Sequence, residues 1–204
     1  RSVAGVGCRG PAGEPVYGPP REPLRDLDSL PFPAWALIDV GFYAQHKSMS
    51  TMGHRRYMTL VTSRGCPYRC SYCHEVHGKR FRARSPANVL REIEELHRRF
   101  GIRDFEVVDD IFNLDRERMR EILERIAASR PRPTLHFPNA LRADLLDDAQ
   151  IGWLRKAGTL FLSVAVETAV PRLQRLIRKN LRLEVVRRNI EAAVRQGMFV
   201  NGFF

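Results

Sequence analysis

Arg64-Gly65-Cys66-Pro67-Tyr68-Arg69-Cys70-Ser71-Tyr72-Cys73 places three thiols within eight residues, at Cys-x3-Cys-x2-Cys spacing. A loop this short can wrap three corners of a cubane [4Fe–4S] cluster, and three thiolates leave one iron without a protein ligand. An open position admits a small molecule, as in catalytic metal sites, whereas electron-transfer clusters normally take a fourth cysteine. Cys8 stands far from this group. Close clustering without an N-terminal signal pattern argues against a disulfide framework. It points to a metal site in a reducing, cytoplasmic compartment. Zinc is the rival reading, since the run continues as Cys-x2-Cys-His-x2-His through His74 and His77. Zinc fingers need a longer spacer between ligand pairs, and this reading strands Cys66. Polar loop residues are the simpler account of both histidines.

Outward from this loop the chain is periodic. Met58-Thr59-Leu60-Val61-Thr62-Ser63 predicts a buried strand just before it. Ser85-Pro86 predicts a helix start, Ser as N-cap and Pro at the first position. Val89, Leu90, Ile93, Leu96 and Phe100 keep helical spacing up to Gly101. Strands are expected over 105–108, 134–137, 160–166 and 199–204, and helices over 115–128, 147–157 and within 171–196. Strands alternating with helices predict a parallel sheet. An open doubly wound sheet and a barrel both satisfy this order. In either, the ligand site lies at the C-terminal strand ends, where Asp109-Asp110, Asn139 and Glu167-Thr168 follow the strands.

The regular part, 57–204, reads as one core domain. Residues 1–56 read as a Gly/Pro-rich linker and an irregular segment, with Gly10-Pro11, Gly18-Pro19-Pro20, Pro23, Pro31 and Pro33 barring a regular helix or a central strand. The chain starts without Met and stops inside the apolar run at Phe204. The expectation is therefore an incomplete core, its last strand an exposed apolar edge.

At 204 residues and 44% hydrophobic content, the chain can bury one sizeable core. No apolar run of membrane-spanning length occurs. The net charge is +11, and four of the 34 basic residues are Lys, leaving 34 − 4 = 30 Arg. Such a charge can attract nucleic acid. However, the arginines are scattered beside Glu and Asp with no aromatic-interleaved basic block, so nucleic acid is not the expected partner.

The cysteine spacing, the aromatic Tyr72 before the last Cys, and the position after a first strand resemble the radical S-adenosylmethionine superfamily, over 57–204. Three stretches, 27–33, 77–86 and 109–112, further resemble the subgroup with an upstream cobalamin-binding domain. The resemblance implies a partial (β/α) barrel stopping after about five strands. It implies a [4Fe–4S] cluster on Cys66, Cys70 and Cys73 that reductively cleaves S-adenosylmethionine to start radical chemistry on a small-molecule substrate. Cobalamin, held by a domain outside this chain, would make that methyl transfer or rearrangement. An electron donor such as flavodoxin or ferredoxin is implied as partner. Tyr72 would lie near the adenine, Asp109 and Asp110 would meet the methionyl ammonium, and Glu167 the ribose. Asn139 and Lys179 are further candidates, Lys179 toward the carboxylate. No role for Arg142 follows from the sequence. The alternatives are a basic zinc-containing nucleic-acid-binding module and a radical enzyme that modifies RNA. The incomplete core predicts that this chain by itself is inactive.

Overall fold

In the computed structural model, which describes residues 3–43, 45–52 and 56–204, the Gly/Pro-rich start is not merely extended. It holds a small antiparallel hairpin, β1 (Gly7–Arg9) and β2 (Pro15–Tyr17). Gly13, at φ +86°, lets the chain turn tightly enough to pair these short strands. Both strands are exposed and stand apart from the main sheet. A single turn, α1 (Val40–Tyr43), precedes the regular part.

From Tyr57 the elements run β3 (Tyr57–Leu60), β4 (Ser63–Arg64), β5 (Arg82–Ala83), α2 (Pro86–Phe100), β6 (Asp104–Val107), α3 (Arg116–Ala128), β7 (Thr134–Leu141), α4 (Asp148–Lys156), β8 (Thr159–Ala165), α5 (Pro171–Leu176), α6 (Leu183–Arg195) and β9 (Phe199–Phe203). Five strands form one parallel sheet in the order β3-β6-β7-β8-β9. The helix signals act as expected. Ser85 accepts from the Asn88 amide, Asp115 and Asp147 cap α3 and α4, and Gly101 closes α2 at φ +66°.

Which side the helices take decides between a doubly wound sheet and a barrel. Alternate strand residues Met58, Leu60, Phe105, Val107, Leu135, Phe137, Leu162 and Val164 form one hydrophobic cluster with residues of α2, α3, α4 and α6. Side chains of period two that all meet helices put the helices on one face. The opposite face carries a row in register across the sheet, Thr59, Glu106, His136, Phe161 and Phe199. Helices on one side only make this an open partial barrel with an inner face. Phe161 stacks on Phe199 at 5.6 Å there. Near the N-terminal strand ends the backbone amides of Met49 and Ser50 donate to the buried Glu106 carboxylate, at 3.2 and 2.9 Å. The last strand is an apolar edge as expected, with Phe199, Phe203 and Phe204 exposed.

The stretch 21–40 is no free linker. The Ser85 amide donates to Asp28, the guanidinium groups of Arg84 and Arg91 lie 5.5 and 5.7 Å from the Phe32 ring centre, and Trp35 Nε1 donates to Glu92 at 3.1 Å. Glu92 also binds Arg84 at 2.5 Å, with both side chains largely buried. The Glu92→Ala variant strips a buried guanidinium of its carboxylate, which costs about 3 kcal/mol. Glu92→Gln keeps the shape and an acceptor for Trp35, and should lose less. Denaturant midpoints of the two variants check this order.

Candidate functional site

The cysteine loop leaves the C-terminal end of β3 and is pinned on both flanks. β4 and β5 pair antiparallel, Ser63 opposite Ala83 and Arg64 opposite Arg82, closing the loop at its base. From the neighbouring strand, the Asp109 carboxylate accepts the Thr62 amide, the Thr62 hydroxyl and the Ser63 hydroxyl, each at 2.6 Å. Asp110 accepts the Gly65 amide at 2.7 Å. Gly65 sits at φ +85°, where a side chain is strained.

The two acidic residues therefore divide. Asp110 lines the cavity at the strand ends, and Asp109 does not. Asp109, expected like Asp110 to meet a ligand, bonds instead to the start of the cysteine loop. Successive side chains at a strand end point to opposite sides, so only one can face the mouth. Burial pushes the Asp109 carboxyl above its ordinary range, against the pull of the Ser63 and Thr62 hydrogen bonds and of Arg118.

The cavity, about 420 Å³, gathers residues from four strand-end loops. Cys66, Cys70, Tyr72 and Cys73 come from the loop after β3, and Asp110 follows β6. Asn139 and Arg142 lie on and just past the end of β7, and Glu167 and Lys179 follow β8. Asn139 donates to the Asp109 carbonyl at 2.8 Å, tying two strand ends together. Lys179, a candidate from the sequence, is 9% exposed. Its Nζ donates to the Tyr72 hydroxyl at 2.8 Å and to Glu167 Oε1 at 3.1 Å. Three residues expected from separate parts of the chain thus meet. Burial, then Glu167, holds the Tyr72 phenol above its ordinary range, so it stays protonated.

Backbone strain gathers here as well. The described non-glycine residues with positive φ are Ala140, Glu167, Arg178 and Asn180. The first two line the cavity, and the last two flank Lys179. Such conformations persist only where the surroundings over-determine them, and they cluster at functional sites. Gln174 supplies part of that support. Its carbonyl accepts the Lys179 and Asn180 amides, and its side chain bonds Val166, Thr168 and Leu181. Nothing in the sequence singles out Gln174.

The thiols Cys66, Cys70 and Cys73 are free and all line the cavity. Burial, together with the neighbouring Cys73 and Cys70, pushes the Cys66 thiol above its ordinary value. A cationic centre reverses that penalty by stabilising thiolates. Three thiols lining one cavity are a donor set of the kind that a multi-iron cluster takes, one thiolate to each iron corner. His74 faces Asp110, at 3.9 Å.

Comparison with known proteins gives a consistent family. Residues 60–204 match the radical SAM superfamily. The chain is 32% identical over 186 residues to cytidylyl-2-hydroxyethylphosphonate methyltransferase of Streptomyces wedmorensis, covering 88% of this chain and 34% of the relative. It is 26% identical over 204 residues to the anaerobic magnesium-protoporphyrin IX monomethyl ester cyclase of Rubrivivax gelatinosus, covering 99% and 36%. It thus spans about a third of the length of these relatives. Among solved structures, the cobalamin-dependent S-adenosylmethionine radical enzyme OxsB superposes at TM-score 0.76 and 18% identity, over 98% of this chain and 29% of that one. The radical S-adenosylmethionine methyltransferase TsrM of Kitasatospora setae superposes at 0.72 and 21%, over 98% and 40%. These two likenesses show the fold. Among the described residues, no helix is long and apolar enough to cross a membrane.

Proposed function

This chain belongs to the radical SAM superfamily, and on that premise we propose that residues 57–204 form most of the catalytic core of a larger enzyme. Cys66, Cys70 and Cys73 hold a [4Fe–4S] cluster, and the same cavity binds S-adenosylmethionine. The cluster, when bound, supplies the electron for reductive cleavage of S-adenosylmethionine, which starts radical chemistry on a small-molecule substrate. The observation that carries this reading is the meeting of three thiols, Asp110 and the Tyr72–Lys179–Glu167 group around one cavity of about 420 Å³.

The chain's own residues then have separable tasks. Asp110 presents a carboxylate beside the thiols and receives the methionyl ammonium, a charge-assisted bond. Glu167 accepts from ribose hydroxyls, and Tyr72 lies along the adenine. Lys179 holds both in place and leaves positive charge near the methionyl carboxylate. Asn139 keeps the second and third strand ends at a fixed separation. Asp109 acts one layer below, fixing the start of the cysteine loop.

The named methyltransferases and the cobalamin-dependent enzyme among the relatives support methyl transfer as the version of this chemistry, with cobalamin held by a part of the protein outside this chain. A low-potential one-electron donor such as flavodoxin or ferredoxin, and a reducing cytoplasmic setting, complete the proposal. Anaerobic reconstitution with iron and sulfide should load about four irons and as many sulfides. The Cys70→Ala variant should lose them. Uptake of zinc without sulfide would refute the reading.

A further inference from the structure

Arg142, for which the sequence suggests no role, is the most heavily anchored cation in the cavity wall. Its backbone is gripped by the buried Asn113 side chain. Asn113 Nδ2 donates to the Arg142 carbonyl at 2.9 Å, and the Arg142 amide donates to Asn113 Oδ1 at 3.1 Å. Its side chain is 11% exposed and lies beside Asp144, Nε to Oδ1 3.0 Å. Its Nη2 donates to the Lys179 carbonyl at 2.9 Å. The guanidinium carbon sits 3.6 Å from the centre of the Tyr68 ring. Tyr68 lies between Cys66 and Cys70.

One residue thus joins loops after all four of the strands that build the cavity. Desolvating a guanidinium is expensive, so a buried one with this many anchors holds something in place. The cysteine loop and the turn around Lys179 also meet directly. The Ser71 amide donates to the Ile177 carbonyl at 2.9 Å, and Lys179 reaches Tyr72. Neither of these contacts involves the stretch between the first two thiols. The Tyr68 stack is what reaches that stretch from the Lys179 turn.

We propose that Arg142 is a positioning residue: stacked on Tyr68 and bonded to the Lys179 carbonyl, it locks the cysteine loop to the 177–180 turn and sets how a cluster on that loop faces its ligand. This rests on the cluster and S-adenosylmethionine reading above. The work depends on a flat guanidinium with several donors, which Lys cannot reproduce.

The test uses the reconstituted full-length protein and Arg142→Ala, Arg142→Lys, Tyr68→Ala, Tyr68→Phe and the double alanine variant. Iron content should stay near that of the parent in all five. The dissociation constant for S-adenosylmethionine should rise about tenfold in both single alanine variants, the scale of one desolvated cation–π contact. The double variant should be no worse than Arg142→Ala, because both remove one coupling. Tyr68→Phe should match the parent, and Arg142→Lys should not restore binding. The change that S-adenosylmethionine produces in the electron paramagnetic resonance spectrum of the reduced cluster should be altered in the same variants. Unchanged binding and spectra, full rescue by Lys, or independent multiplying effects of the two alanines would overturn the proposal. If Arg142→Ala does not fold, Tyr68→Ala breaks the same stack from the other side and decides the matter.

A cluster-free arm separates this idea from the functional reading. Without iron, alkylation of Cys66 and Cys70 should be several-fold faster in Arg142→Ala and Tyr68→Ala than in the parent. Equal rates overturn the positioning role. A parent that binds no S-adenosylmethionine, yet shows this difference in alkylation, instead overturns the functional reading alone.

Discussion

Asp109→Ala should destabilise the fold by about 4 kcal/mol and abolish cluster assembly, although Asp109 lies outside the cavity lining. The change orphans the Thr62 amide and two hydroxyls that it accepts at 2.6 Å. It also removes an acidic neighbour of the buried Arg118, whose guanidinium supports the same corner by donating to the Thr62 and Arg84 carbonyls at 2.8 Å. Losing the anchor frees the start of the cysteine loop, so the thiols no longer arrive together. Asp109→Asn is the informative companion. Its amide oxygen still accepts the Thr62 amide, and the two hydroxyls can turn to accept from its nitrogen. It should cost only about 1 kcal/mol and keep most of the iron. Urea midpoints and iron content of the two variants check both halves. Equal behaviour of Ala and Asn would show that the hydrogen bonds are not what matters.

Gly65→Ala should open the cysteine loop by the addition of a single methyl group. A Cβ there would land on the Arg80 carbonyl oxygen and lie 3.1 Å from that of Gly78. The residue also needs φ +85°, which itself costs an alanine about 1–2 kcal/mol. The clashing atoms are backbone of the loop's own returning arm, so the loop must open. Gly65 precedes Cys66 directly and donates to Asp110. Opening therefore displaces both a thiol and the proposed ammonium acceptor. Most of the iron should be lost, and S-adenosylmethionine binding with it. Gly78→Ala is the control. It shares a positive φ, +73°, but a Cβ there meets nothing within 4 Å. It should lose about 1 kcal/mol of stability and retain its cluster. Iron and sulfide analysis of the two variants decides the matter, and an iron-replete Gly65→Ala would refute the packing argument.

Glu106 and His136 are fully buried on the inner face of the sheet, and the Ser50 hydroxyl lies 3.2 Å from His136 Nδ1. On this inner face Glu106 and His136 Nδ1 thus have partners, while the buried His136 Nε2 makes no hydrogen bond among the described residues. The clash at Gly65 is confined to the loop's own backbone, so its damage should stay at the mouth, with the helix-covered core holding its shape. Retained far-ultraviolet circular dichroism alongside lost iron is the expected signature for Gly65→Ala.

Much was legible in the residues because it depends on local chemistry. Thiol spacing is a property of one short segment, and so Cys66, Cys70 and Cys73 could be named as a set. Strand and helix order followed from periodicity, and α2 began at Ser85-Pro86 and ended at Gly101 because caps and apolar spacing are read within one turn. Other features were silent because they arise between segments distant in sequence. A one-sided and a two-sided helix cover share the same strand and helix order, so only the single cluster of strand and helix residues made the sheet a partial barrel. Asp109 and Asp110 are chemically identical neighbours, and only the direction of each side chain sent one to the loop and the other to the cavity. Lys179 became a buried partner of Tyr72, 107 positions away, through the folding of the turn after α5. Arg142 gained its anchors from three other strand-end loops. The spacing of the three thiols and the parallel α/β order were set by the sequence, because both are encoded at short range. Tertiary structure alone decided which polar side chains face the cavity, because that depends on strand register and on where each loop lands.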